Sequence, residues 1–101
     1  MMNRPEVLSL INQVHTKKDD GFEETTETKT DIFCNWRDGV GFDEFYTSRK
    51  AGLKASASAE VFFAEYDGQE FVEFKGKRYS VIRAYQNRPD YKILVLQEVV
   101  R

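Results

Sequence analysis

The sequence predicts an all-β protein: a small five- to six-stranded β-barrel, or a two-sheet sandwich, with one short helix. Apolar and polar residues alternate over several short runs, glycine-bearing turns separate those runs, and some runs are apolar on both faces. With 101 residues the chain reads as a single domain spanning 1–101. A domain of this size buries roughly two thirds of the surface its unfolded form exposes.

Composition narrows the function classes. Hydrophobic residues at 41% and charged residues at 32% suit a soluble globular domain that builds a core without staples. The formal charge of −2 lacks the basic excess that a sequence-independent grip on a phosphate backbone needs. Cys34 is the only cysteine and His15 the only histidine, so neither an internal disulfide nor a metal-binding spacing of Cys and His is expected. A reducing cytoplasm suits this pattern. The residues from Met1 to Val14 do not read as a secretory signal, and no stretch reads as a membrane span.

Val7 to Val14 is a short apolar stretch after Pro5, compatible with a strand or with a turn or two of helix, and is taken as a strand. From His15 to Glu27 no apolar period survives, and the charge-rich run reads as a long exposed loop. Thr28 to Trp36 alternates, with Thr30, Ile32, Cys34 and Trp36 facing inward and Lys29, Asp31, Phe33 and Asn35 on the other side. On that inner face Cys34 reads as a buried, inert thiol.

Asp38 to Gly41 breaks the strand, and a helix follows over Asp43 to Ala51, with acidic residues in its first turn, Arg49 and Lys50 in its last, and Gly52 as C-cap. Phe42, Phe45 and Tyr46 share one face of it, a packing stripe that plugs the barrel or meets a neighbour. Leu53 to Tyr66 is the next strand, in which Ala57, Ala59, Val61 and Phe63 alternate with Ser56, Ser58, Glu60 and Phe62. Phe62 therefore points away from the core and is a candidate subunit contact, together with Phe42, Phe45 and Tyr46.

Asp67-Gly68 makes a turn, Phe71 to Phe74 a short strand, Lys75-Gly76 a hairpin connection, and Arg78 to Tyr85 a strand with Tyr79, Val81, Arg83 and Tyr85 on one face. Asn87 to Asp90 turns the chain into a last strand, Tyr91 to Val100, apolar on both faces. Trp36, Val61, Phe63, Tyr79 and Val81 are the expected core.

The search for chemistry finds little. The carboxylate pairs Asp19-Asp20, Glu23-Glu24 and Asp43-Glu44 lack the burial that shifts a pKa, and Gly39-Val40-Gly41 lacks the lysine and hydroxyl of a phosphate loop. No catalytic, cofactor-binding or metal site is expected, and the chain does not read as an enzyme. Lys75, Lys77, Arg78 and Arg83 interleave with Phe74, Tyr79 and Tyr85, as in a small oligonucleotide-binding-type barrel that holds single-stranded nucleic acid. That is the alternative functional reading.

The order and spacing of four segments carry a resemblance. They are Glu44-Phe45 opening a helix that ends Ala51-Gly52-Leu53-Lys54; Val61-x-Phe63-x-x-Tyr66-Asp67-Gly68; Val72-x-Phe74-Lys75-Gly76-Lys77-x-Tyr79-x-Val81-x-Arg83-x-Tyr85; and Asp90-x-Lys92-x-Leu94-x-Leu96. Together they resemble the head-tail adaptor, or head-closure (stopper), family of tailed bacteriophages, with departures at Thr47, Ser48 and Ile93. The resemblance implies a structural head-tail connector subunit of a phage or prophage, made in the host cytoplasm and resident at the head-tail interface of the virion. Its implied partners are portal and adaptor proteins, tail proteins and further copies of itself in a ring, with DNA only as channel contents and no membrane. In such a ring Lys17, Lys18, Asp19, Asp20, Glu23, Glu24 and Glu27 become the candidate channel loop, because clustered carboxylates repel phosphate at close range.

Overall fold

The computed structural model describes residues 5–39 and 54–99. The helix expected over Asp43 to Ala51, with Phe42, Phe45 and Tyr46, lies outside them. The described residues form β1 (Glu6–Lys17), β2 (Glu23–Asp38), β3 (Ala57–Phe62), a 3-10 turn (Phe63–Glu65), β4 (Phe71–Phe74), β5 (Lys77–Arg88) and β6 (Tyr91–Glu98). They close into a six-stranded antiparallel barrel in the order β1-β2-β3-β6-β5-β4, which decides for the barrel over the sandwich. Closure is made by β1 on β4, where Ser9, Leu10 and Ile11 face Glu73, Val72 and Phe71.

The alternation read from the sequence places the core. Leu8 and Leu10 of β1, Ile32 and Cys34 of β2, Ala57, Ala59 and Val61 of β3, Val72 and Phe74 of β4, Tyr79 of β5 and Leu94 and Leu96 of β6 pack together inside. Small residues meet large ones across the ladder, Ala57 opposite Leu96 and Ala59 opposite Leu94, which lets side chains interdigitate in a narrow barrel. Each fully buried Leu or Val contributes about 1.5–3 kcal/mol. Trp36 and Val81 pack against this cluster from its margin. At that end Trp36 stacks on Phe74, with ring centroids 3.8 Å apart, and meets Tyr79 edge-on. The Trp36 Nε1–H donates to Asp38 Oδ1 at 2.9 Å, so the indole keeps its hydrogen bond.

Four expectations are corrected. Phe63 is 43% exposed and outside the core, because β3 stops at Phe62 and the 3-10 turn takes the chain off the sheet. The Lys92 ammonium covers its ring at 4.8 Å. β5 does not alternate strictly: Val81 faces Leu96 but Arg83 faces Val95, so Ile82 is a bulge. Beyond it the register is offset by one residue, and Arg83 and Tyr85 leave the inward face of Tyr79 and Val81. β5 also continues to Arg88, one residue short of Pro89, so the turn is shorter than Asn87 to Asp90.

The fourth correction concerns His15 to Glu27, which is not a loop. β1 and β2 pair without a break from Glu6 opposite Cys34 to Lys17 opposite Glu23, and the connection is only Lys18 to Phe22. The missing apolar period has a physical cause: beyond the barrel both faces of this ribbon meet water, so nothing selects apolar residues on either. β-Branched Thr25, Thr26, Thr28 and Thr30 suit the strand, and polar cross-strand pairs replace the apolar ones.

Candidate interaction surface

The β1–β2 ribbon projects beyond the barrel as an arm. The ladder of β1 with β4 ends at Ile11, and β2 meets β3 only from Cys34 onward, so Asn12–Lys17 and Glu23–Phe33 have just one strand neighbour each among the described residues. Side chains brace the ribbon across its width. Gln13 Nε2 donates to Glu27 Oε2 at 2.9 Å, His15 Nδ1 lies 3.0 Å from Thr25 Oγ1 and 3.1 Å from Glu23 Oε1, and Lys18 Nζ lies 3.5 Å from Glu24 Oε2. At its base Asn12 Oδ1 accepts from Gln69 Nε2 at 2.9 Å.

The tip is ordered by its own backbone. Lys18 N–H donates to the Phe22 carbonyl and Gly21 N–H to the Lys18 carbonyl, while Asp20 Oδ1 accepts from the Phe22 N–H. Gly21 takes φ +88°, a left-handed conformation that a side chain would strain. This turn leaves the Phe22 ring 73% exposed between Asp19-Asp20 and Glu23-Glu24.

All seven candidate channel residues thus gather on one arm: Lys17, Glu23, Glu24 and Glu27 on its strands, and Lys18, Asp19 and Asp20 in its turn. Their charges are paired in part. Arg78 of β5 binds Glu27 through both guanidinium nitrogens, at 2.7 and 3.3 Å, and its hydrogen bonds, with one from Gln13, hold the Glu27 carboxyl well below its ordinary range, at about 2. Lys29 binds both carboxylate oxygens of Glu73 on β4, at 3.0 and 3.2 Å.

A second surface lies on the outside of the barrel wall. Val7 stands opposite Phe33, and Phe62 opposite Tyr91, on the outer face. The β2–β3 ladder ends at Cys34 opposite Val61, so one further step sets Phe33 against Phe62. Phe33 is 56% and Phe62 36% exposed, and Phe62 stacks on Tyr91 with centroids 5.1 Å apart. Beside this row Glu60 accepts from Asn35, Asn87 and Arg88. Apolar side chains side by side with a hydrogen-bonded polar margin are the make-up of a protein contact. Phe62 was legible as outward from the sequence. Phe33 was likewise placed on the outer side of its strand, with Lys29, Asp31 and Asn35, but was not named as a contact candidate.

The residues of the nucleic-acid alternative do not share one surface: Arg83 lies over the exposed Tyr85 ring at 4.7 Å, apart from the other two aromatics. Phe74 and Tyr79 are buried in the core, so stacking bases on them would dismantle it. Lys75 pairs with Glu6, Lys77 with Glu98 and Arg78 with Glu27, which leaves these cations partly neutralised. Cys34 is buried, and desolvation pushes its thiol up to about 12. It stands opposite Glu6, nine residues along β1 from His15, which at about 3.3 Å per residue is far beyond proton-transfer reach. Among the described residues no group of His, Cys, Asp and Glu is placed to hold a metal ion, and no helix is long and apolar enough to cross a membrane.

Comparison with known proteins yields no matching family model and no matching curated protein.

Proposed function

We propose that this chain is a structural head-completion subunit of a tailed phage or prophage, a head-tail connector that assembles as a ring below the portal and adaptor, closes the DNA channel and docks the tail. The observation that carries the reading is the arm: a braced ribbon that projects from a closed barrel and ends in carboxylates around an exposed Phe22. Such an arm narrows a channel sterically when several copies surround it, and its carboxylates keep phosphate from adhering over the roughly 8 Å that physiological salt allows. The outer row of Val7, Phe33 and Phe62, with Phe62 seated on the buried Tyr91, supplies a separate surface for protein partners. The burial of Phe74 and Tyr79 and the pairing of Lys75, Lys77 and Arg78 weigh against the single-strand-binding alternative.

The deciding experiment is native mass spectrometry of the chain alone and with portal and adaptor proteins, beside a single-stranded DNA titration in rising salt. The reading expects stoichiometric rings on the portal assembly and no salt-sensitive DNA binding. Tight binding that weakens steeply with salt, with no uptake by portal assemblies, overturns it.

A further inference from the structure

Two arginines of the barrel wall share one arrangement, in which the guanidinium lies over an aromatic ring and pairs with a carboxylate. Arg78 lies 4.5 Å over the Phe71 ring and 2.7 Å from Glu27, and Arg88 lies 4.4 Å over the Tyr91 ring and 2.9 Å from Glu60. A planar guanidinium makes both contacts at once, because it stacks through its face and donates through its edge. Lysine fits the arrangement less closely: Lys75 sits 5.3 Å from the Phe74 centroid and 3.4 Å from Glu6.

A further ring and carboxylate stand together without a cation. Of the exposed aromatic rings among the described residues, Phe62 stacks on Tyr91, Phe63 lies under Lys92 and Tyr85 under Arg83, while Phe22 and Phe33 have neither a ring nor a cation against them. At Phe22 the carboxylate two residues along the strand, Glu24, is already paired with Lys18. At Phe33 the corresponding carboxylate is the exposed Asp31, on the same outer face of β2 and about 7 Å away along the strand. Ser9 Oγ donates to Asp31 Oδ1 at 2.6 Å, which holds the carboxylate through one oxygen and leaves the other for a donor. No ion pair engages Asp31 among the described residues, and Lys29, the next cation on this face, is held by both oxygens of Glu73. Val7 opposite Phe33 and Phe62 beside it flank the ring with apolar surface, on which the methylene stem of a long side chain can lie.

We infer that Phe33 and Asp31 form a receptor for an arginine of a protein partner, whose guanidinium lies over the Phe33 ring and pairs with Asp31. The inference deepens the reading of the outer row as a partner surface and rests on it. It gives that row an anchor, since arginine and aromatic side chains are the ones that concentrate binding energy at interfaces. A second copy laid row on row through a two-fold sets the same residues against each other, and neither Phe33 nor Asp31 supplies a cation.

The probe is N-acetyl-glycyl-arginyl-glycine amide, with the same peptide carrying neutral citrulline as control. In carbon-resolved NMR titrations the arginine peptide should shift the Phe33 ring and the Asp31 carboxyl signals, and the citrulline peptide should not. Asp31→Asn, and Phe33→Leu, which keeps apolar bulk, should each abolish the shifts in a chain whose amide spectrum stays that of the folded barrel. Each should also weaken uptake onto portal assemblies in native mass spectrometry by about 2- to 30-fold, the range of one cation–ring contact. No shift with the arginine peptide, or equal shifts with citrulline, overturns the receptor, and uptake that still falls with Phe33→Ser leaves the row standing as a partner surface. Dimers of the free chain that Phe33→Leu dissolves assign this face to a second copy and overturn the receptor as well. Arginine-selective shifts in a chain that portal assemblies do not take up keep the receptor and overturn the portal reading.

Discussion

Arg78 on β5 reaches across β4 and β1 to Glu27 on β2, its Nη2 2.7 Å from Oε2, and lies over the Phe71 ring at 4.5 Å on the way. The contact straps the base of the arm to the barrel wall. Because the hydrogen bonds from Arg78 come first among the causes that lower Glu27 to about 2, an Arg78→Gln variant should return that carboxyl toward the ordinary value of 4.5. A folded-state pKa below the unfolded one means the strap stabilises above the unfolded value and is lost as pH falls toward 2. A carboxyl-carbon NMR titration of native and variant chains checks this; a Glu27 that titrates alike in both removes the strap.

Leu94 and Phe63 separate core from surface. Leu94 is fully buried opposite Ala59, and Leu94→Ala should cost about 2–5 kcal/mol, with a cavity left in a barrel too narrow to collapse around it. Phe63→Ala, at a site already open to water, should cost within about 1 kcal/mol. Urea midpoints of the two variants check the ordering.

The Cys34 thiol, buried and pushed up to about 12, should resist a soluble disulfide reagent at pH 8 in the native chain and react at once in denaturant. The time course of thiol release, with and without denaturant, is the measurement. Prompt reaction in the native chain would place the sulfur at the surface.

Phe33 and Phe62 should matter for partners more than for folding. Phe33→Ser changes a side chain mostly open to solvent and should shift stability by no more than about 1 kcal/mol, whereas Phe62→Ser also removes the stack on Tyr91 and should cost about 1–3 kcal/mol without unfolding the barrel. The doubly substituted chain should lose uptake onto portal assemblies in native mass spectrometry. Undiminished uptake would free this row from any contact.

Much of this architecture is legible in the residues. Wherever one face of a strand meets the core, alternation names it, as at Ile32 and Cys34, at Ala57, Ala59 and Val61, and at Leu94 and Leu96. Where neither face is selected for burial the signal vanishes, and the strands from His15 to Glu27 read as loop; the residual cues were the β-branched threonines and the Asp20-Gly21 turn. A single bulge, at Ile82, moved Arg83 and Tyr85 off the face that strict alternation assigned them. Alternation cannot announce an inserted residue, because the register partner that exposes it lies on another strand. The acidic cluster was visible as charge. Its mounting on a rigid ribbon was not, because that depends on Arg78 and Gln69, far away in the chain.

The arm also makes the channel hypothesis testable without touching the barrel. Because β1 and β2 stay in register, equal lengths can be cut from both strands: removing Val14 to Thr26 and joining Gln13 to Glu27 through Asn-Gly restores a two-residue hairpin. Every core residue, the Arg78–Glu27 strap and the outer aromatic row lie outside the excised segment. The shortened chain should therefore unfold at a denaturant midpoint close to that of the full chain and still be taken up by portal assemblies through Phe33 and Phe62. What it loses is the projecting length that would narrow the channel, together with the carboxylates at Asp19, Asp20, Glu23 and Glu24. Filled heads completed with it should leak DNA, measured as nuclease-sensitive genome in purified particles. Heads that hold their DNA with the shortened chain in place would show that sealing resides elsewhere in the particle.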